Sequence, residues 1–303
     1  MSALESGPRL LVFGAVHGNE TCGTTAIHRA LADCRSGRLA IRRGSVTFVP
    51  VANPKAFRQR TREGERNLNR DLRERDVPVD YEDRIGNRLC ALMRDHDILL
   101  DLHSFHSKGE PFVFLGPQNN DGTLEPFRHA DAEGSFAAIL GPSIVIHGWL
   151  ENYARFLEVR ANHGYTRGPV SQGRGTTEYM RAVGGFGVTV ECGTHDEPKS
   201  IDVAYAAIVN ALSHLGLVDR LRPARAVQNT IQIVDVLLCI SRGDALAGDW
   251  KNGEPVAMGQ VIARRANGTL LKAPRDGFII FPNSNPTQGD KLCYFGVSSD
   301  RRL

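Results

Sequence analysis

Short apolar runs alternate with longer amphipathic segments over the first two thirds of this chain, and that alternation is what a mostly parallel α/β sheet requires. Strands are expected at residues 10–13, 45–50, 97–102, 112–115, 143–146 and 187–190. The run DILLDL at 97–102 is apolar almost without interruption, as a strand covered on both faces must be. Helices are expected over 21–34, 83–96 and 201–215, the last with Val203, Ala207, Ile208 and Leu212 at helical spacing. The pattern changes near LRPARA (221–226). From Ile231 onward the chain is short strands broken by glycine turns (SRGD, KNGEP, RANGT, PRDGF, NPTQGD), with no helical period. The expectation is therefore an α/β domain over 1–222, a mixed, mostly parallel sheet flanked by helices, and a smaller C-terminal all-β domain over 223–303.

Composition removes several function classes. With 303 residues, 41% of them hydrophobic, the chain can bury a large core and lacks the signature of disorder. The net charge of +3 comes from 37 basic and 34 acidic residues, a balance too even to argue for a nucleic-acid or membrane partner. No run of about 20 apolar residues is present, so no membrane span is expected. The first apolar run follows an acidic residue and ends quickly in Gly and His, which reads as a buried strand and not as a signal peptide. Six scattered cysteines without a CxxC pair point to reduced, cytoplasmic usage, not to disulfides or a cysteine-ligated metal.

Two motifs carry the chemistry. His17-Gly-Asn-Glu20 follows the first expected strand, and His103 follows DILLDL. In parallel α/β sheets the carboxyl ends of strands form the ligand crevice, so both segments deliver side chains to one sheet edge. Two imidazoles and a carboxylate fill three zinc positions and leave a fourth open for water, the catalytic arrangement. An H-x-x-E pair alone has a high false-positive rate; its placement beside a second strand end is what strengthens it. Glu191 ends the strand GVTV among apolar neighbours, where an acid needs a reason to be. Asp101, two residues before His103, shares its strand face and is placed to receive an imidazole N–H or to make a structural hydrogen bond.

The ordered segments GAVHGNE (14–20), ANPKAFRQRTREGERNLNRDL (52–72), DLHS (101–104) and GVTVECG (187–193) resemble the succinylglutamate desuccinylase and aspartoacylase family, acylase relatives of the zinc carboxypeptidases. The resemblance covers the first two thirds of the chain and implies a zinc carboxypeptidase-like fold. It implies one zinc per subunit, held by His17, Glu20 and His103. It implies that Glu191 activates the zinc-bound water and then protonates the leaving amine, and that Arg62 polarises the scissile carbonyl and stabilises the oxyanion. Asn69 and Arg70 would grip the substrate α-carboxylate, and Arg181 stands where the aspartoacylase branch has a second substrate-binding arginine. Arg58, Arg60, Arg66, Arg73 and Arg75 are left facing solvent. His106, Lys108, His147 and Tyr153 fall between the motifs, with surface roles favoured for any one of them.

The C-terminal stretch resembles the small β-domain appended in this family, which in aspartoacylases narrows the active-site entrance and supplies a tyrosine. It also resembles biotinyl and lipoyl carriers, but their lysine is missing from the turn RANGT, so a carrier is rejected. The loop FPNSNPTQGD has no tyrosine, and Tyr294 falls in an expected strand. The implied activity is hydrolysis of the amide of an N-acyl amino acid, a small anionic substrate. The alternatives are a zinc carboxypeptidase or esterase on the same site, or a non-catalytic ligand-binding relative. Whether the chain forms a homo-oligomer stays open.

Overall fold

The computed structural model describes residues 1–219 and 227–303. The elements are β1 (Glu5–Gly14), α1 (Cys22–Arg35), β2 (Arg43–Val49), α2 (Pro54–Gln59), α3 (Tyr81–Arg94), β3 (Ile98–Phe105), β4 (Phe112–Phe114), α4 (Ala130–Ala137), β5 (Ile144–His147), α5 (Trp149–Ala161), α6 (Thr176–Ala182), β6 (Phe186–Thr194) and α7 (Pro198–His214). They are followed by β7 (Asn229–Leu238), β8 (Ala245–Leu246), β9 (Glu254–Val256), β10 (Val261–Arg264), β11 (Leu270–Lys272), β12 (Gly277–Ile280) and β13 (Lys291–Ser298).

Ten strands form one sheet in the order β2-β1-β3-β6-β4-β5-β7-β13-β12-β9, mixed as expected: β4 runs antiparallel to β6, and β13, β12 and β9 are antiparallel. Alternation along each central strand divides the core in two. Leu10 and Val12 of β1, Leu100 and Leu102 of β3, and Val188 and Val190 of β6 pack with α1, α4 and α7. Leu11, Phe13 and Leu99 face the other way, against Leu89, Cys90 and Met93 of α3 and Tyr179 and Met180 of α6.

Two expectations change. The strands carrying the motifs run past their apolar segments: β3 continues to Phe105 and β6 to Thr194, with His103 paired to Glu191 in parallel register. Both residues therefore lie within strands and not just beyond them, because ladder hydrogen bonds are indifferent to side-chain polarity. The expected boundary at 222/223 lies outside the described residues. The sheet itself passes across it, since β7 pairs in parallel with β5. The β-rich segment adds its own core around Trp250, Ile262, Ile279 and Leu292, and a three-stranded sheet β11-β10-β8.

Candidate active site

Leu99, Asp101 and His103 share one face of β3 by two-residue alternation, and Thr189 and Glu191 stand opposite them on β6. Across the β1–α1 connection, the segment HGNE comes to lie over this face. Gly18 is what allows it: a Cβ there would fall 2.0 Å from the backbone carbon of Ala56 in α2. Ala15, two residues before His17, is held at φ 48°. The other left-handed non-glycine residues described are Arg60, Asp71 and Phe281, all in segments that build the same cleft. Such conformations cost about 1–3 kcal/mol each and persist where the surroundings fix them.

The donor atoms converge. His17, Glu20 and His103 are buried and offer ligand atoms all within 4.8 Å of one another. His17 Nδ1 lies 2.9 Å from Glu20 Oε1, His103 Nδ1 lies 2.8 Å from Glu20 Oε2, and the two Nδ1 atoms are 3.2 Å apart. Around a tetrahedral zinc ion with bonds near 2.1 Å, ligand atoms sit about 3.4 Å apart, so the donors need to part by at most about 0.6 Å to hold one. The outward nitrogens are engaged: His103 Nε2–H donates to Asp101 Oδ2 at 2.9 Å, and His17 Nε2–H to Asn67 Oδ1 at 3.1 Å. Those bonds leave both Nδ1 lone pairs aimed inward, the tautomer a metal ligand needs. Asp101 is anchored in turn by Thr176 Oγ1 at 2.5 Å.

The electrostatics match. Burial lowers His17 to about 4, with Arg62 adding to the effect, so its imidazole is neutral. Burial also pulls His103 down, but Asp101 and Glu20 outweigh it and raise it well above its usual value. Glu191 is 8% exposed, its Oε2 has no hydrogen-bond partner, and burial together with the Glu20 charge pushes it well above the usual carboxylate range.

Arg62, Asn69 and Arg70 arrive on the loop after α2, and a buried carboxylate shapes that loop. Glu82 accepts backbone N–H groups from Gly64, Glu65 and Arg66 at 3.0–3.3 Å and the Asn53 side chain at 3.0 Å. Arg66 and Arg75, expected to face solvent, instead pair with buried Asp83 at 2.6 and 2.5 Å; Arg58, Arg60 and Arg73 are exposed as expected. Arg62 reaches Glu20 Oε1 at 2.9 Å. Asn69 Oδ1 accepts the Thr176 N–H at 2.9 Å. Arg70 stacks over Trp149 at 4.7 Å.

All of these line a cleft of about 670 Å³, within the range of small-molecule sites. Arg181 reaches its edge, but its guanidinium is turned into protein: Glu125 at 2.6 Å, Glu178 at 3.0 Å, Glu133 at 3.2 Å and the Gly187 carbonyl at 2.8 Å. A substrate carboxylate could reach it only by displacing one of these. His106 and Tyr153 line the cleft, His147 bonds Ser299 in a neighbouring cavity, and Lys108 lines neither.

Sequence reasoning missed several groups. Asn67 had a signal, lying two residues before Asn69 in NLNR. Ser104 bonds His195 Nδ1 at 2.7 Å, and His195 stands four residues beyond Glu191. Lys291 and Tyr294 enter from β13 and carried no local signal. Tyr294 belongs to a strand, as expected, and lines the cleft from it, 2% exposed.

Residues 6–143 match the family model described as the succinylglutamate desuccinylase/aspartoacylase catalytic domain. That stretch of the chain, which carries His17, Glu20, Arg62, Asn69, Arg70 and His103, is similar to this family's catalytic domain. Comparison with curated protein sequences gave no match. Among solved structures, the chain is similar to a succinylglutamate desuccinylase from Silicibacter sp. TM1040 (TM-score 0.71, 22% identity, 97% of this chain and 86% of that one covered). It is similar to a succinylglutamate desuccinylase/aspartoacylase from Rhodobacter sphaeroides (0.73, 18%, 98% and 87%). It is also similar to the product-bound ectoine utilization protein EutE (DoeB) from Ruegeria pomeroyi (0.71, 23%, 97% and 87%). At these identities the likeness establishes the shared fold. The family that the matched model describes is one of deacylase-type hydrolases. Among the described residues, no helix is long and apolar enough to cross a membrane.

Proposed function

We propose that the chain is a zinc-dependent deacylase that hydrolyses the amide of an N-acyl amino acid. The observation that carries this reading is the convergence of the His17, Glu20 and His103 donor atoms on a point faced by Glu191, whose Oε2 is buried and has no partner. Two nitrogens and a carboxylate, with Asp101 and Asn67 fixing the imidazole tautomers, suit zinc. A divalent ion held there would lower the pKa of water and polarise a carbonyl.

The remaining chemistry belongs to the chain. Glu191 takes a proton from the attacking water and delivers it to the departing amide nitrogen, so that acid and amine form as the C–N bond breaks. Burial is the larger cause of the raised Glu191; the Glu20 charge that adds to it is the charge a divalent ion would neutralise, which would move Glu191 toward its base form. Arg62, on the cleft side of Glu20, supplies N–H groups to the oxyanion. Asn69 and Arg70 hold the α-carboxylate, with Asn69 oriented by its bond to Thr176 and Arg70 by its stack on Trp149. Arg181, enclosed by three carboxylates, supports the wall instead of touching substrate. The β-rich segment 227–303 forms the entrance through Phe281, Lys291 and Tyr294.

The test is metal analysis of the purified protein together with a panel of N-acetyl amino acids, N-succinyl amino acids, dipeptides and esters. Stoichiometric zinc and preferential release of amine from N-acyl amino acids are expected. Turnover confined to peptides or esters would replace the deacylase reading with one of those. Absence of bound metal, with no turnover after zinc is added, would remove the zinc-enzyme reading.

A further inference from the structure

Behind Trp149 lies a second cavity, of about 540 Å³, in the size range of small-molecule sites. Trp149, Leu115 and Arg181 line both it and the cleft, so the two share a wall. Part of its lining is apolar, from Pro117, Leu124 and Leu150, and the rest is polar and charged.

Arg301 donates to the Gly116 carbonyl and, at 2.8 Å, to the Pro117 carbonyl. Among the described residues it has no carboxylate at ion-pair distance. Two carbonyls satisfy two of a guanidinium's N–H groups and leave its charge unanswered. Burial holds Arg301 below its ordinary value, with Arg181 adding to the effect, while Glu133, Glu151 and Glu125 pull the other way from beyond ion-pair reach. Glu151 and Asp300 line the same cavity, are exposed, and have no ion-pair partner among the described residues. His147 adds no charge, since burial, with Arg301, brings it down to about 4; its Nε2 lies 2.8 Å from Ser299 Oγ.

This cavity therefore holds one unanswered cation, two unanswered carboxylates out of its reach, and an apolar remainder. A simple anion would satisfy Arg301 but meet Glu151 and Asp300 with like charge. A simple cation would meet Arg301 in the same way. Only a molecule carrying both charges answers all three groups, with its hydrocarbon part left for the leucines.

We propose that the cavity is a second binding site, separate from the cleft, that takes a free α-amino acid as its zwitterion: carboxylate on Arg301, ammonium on Glu151, apolar side chain against Leu124 and Leu150. A planar guanidinium with unused N–H groups suits a carboxylate, and an exposed carboxylate can reach an ammonium at little desolvation cost. Trp149 links the occupant to the cleft. Its indole N–H is held by the Gly173 carbonyl at 3.0 Å, and its ring carries the Arg70 guanidinium at 4.7 Å. An amino acid has the chemistry of the amine that deacylation releases, so an occupied cavity would report product to the α-carboxylate clamp. That consequence rests on the deacylase reading; the binding itself does not.

The experiment is calorimetry on the whole chain with three probes: L-leucine, 4-methylpentanoate, which lacks the ammonium, and 3-methylbutylamine, which lacks the carboxylate. The cleft can also take an amino acid through its clamp, so the titrations are made in Arg70→Met. There, one L-leucine per chain should bind at least tenfold more tightly than either singly charged probe. Adding Arg301→Met should weaken L-leucine tenfold or more. Glu151→Gln, at an exposed position, is the second variant in case the first does not fold, and it should weaken L-leucine by a similar factor. No L-leucine binding in Arg70→Met, equal binding of a singly charged probe, or binding indifferent to both substitutions overturns the proposal. For the link to the clamp, the effect of L-leucine on KM for an N-acyl amino acid should be smaller in Arg301→Met than in wild type. An identical effect in both would be competition in the cleft alone and would overturn the link. A protein that hydrolyses nothing would sink the deacylase reading, while calorimetry still decides the cavity.

Discussion

Two arginines, Arg181 buried and Arg70 half-buried, stand in the wall of the same cleft with opposite surroundings. Arg181 is ringed by Glu125, Glu133 and Glu178, while Arg70 meets only an indole face and a backbone carbonyl. The contrast extends along the molecule. Asp83 is answered by Arg66 and Arg75, and Glu82 by a row of backbone N–H groups, whereas among the described residues Glu191 Oε2 has no hydrogen-bond partner and the half-buried Lys291 has no ion-pair partner. A buried charge with its partners in place holds architecture together; one without them is waiting for a ligand or a reaction. Substitutions in the two groups should therefore fail in different ways, one in the fold and the other in turnover.

The sharpest separation is expected at Glu191. Glu191→Gln should retain zinc and lose about 10²- to 10⁴-fold in kcat, the usual contribution of a positioned acid–base group. Metal content and steady-state kinetics measured on the same preparation check this. No loss of thermal stability should accompany it, because the removed charge had no partner to orphan. Turnover near wild type would take Glu191 out of the mechanism.

Arg181→Met should do the reverse. Removing the cation leaves three carboxylates facing one another in the interior, and breaking a buried pair in this way costs about 3–5 kcal/mol. Denaturant unfolding should show that loss. Glu125 already lies at about 7, raised by burial against the pull of Arg181. Without Arg181 it rises further, so the variant should be least impaired at acidic pH, where the carboxylates carry protons. An Arg181→Met protein of normal stability with a raised KM would return Arg181 to the substrate-binding set.

Arg70→Met tests the uncompensated member directly. Charge-assisted hydrogen bonds contribute about 1.5–3 kcal/mol, so kcat/KM should fall roughly 10- to 100-fold with the unfolding midpoint little changed. A matching fall on a substrate whose α-carboxylate is replaced by an amide would show that Arg70 does not grip that group.

The legible and illegible parts of the molecule divide along the same line. The candidate metal trio could be found in the sequence because its residues lie in two short segments, His17 to Glu20 and Asp101 to His103, each tied to an apolar strand whose direction fixes where they project. The central strands were visible for the same reason, since burial on two faces leaves an uninterrupted apolar run. Arg66 and Arg75 were hidden inside a basic stretch where nothing local tells a paired arginine from a solvated one; their partner is on α3. The carboxylates around Arg181 come from residues 125, 133 and 178, a juxtaposition only the tertiary fold creates. Lys291 and Tyr294 lie over 180 residues from His103 in sequence and enter through the pairing of β13 with β7. A lone lysine at the start of a strand has no pattern to betray it.

The smallest expected effect lies in pH, and it separates a free cation from a paired one most finely. Lys291 faces Arg62 and Arg70, which depress it, and Asp290 and Glu191, which act weakly the other way; the rings of Phe281 and Tyr294 carry no charge. With its folded value near 7 and an unfolded value near 10.5, the group holds fewer protons folded than unfolded between those limits. Its contribution to stability is therefore unfavourable below about pH 7 and becomes less so as pH rises toward 10.5. Denaturant unfolding of wild type and Lys291→Met at rising pH checks this. The difference between them should drift in favour of wild type, by roughly 1 kcal/mol or less, because a half-buried ammonium keeps part of its hydration. Lys291→Arg, whose guanidinium does not titrate in this range, should keep a level difference from Lys291→Met. A drift that persists unchanged in the arginine variant would belong to another group and would remove Lys291 from the comparison.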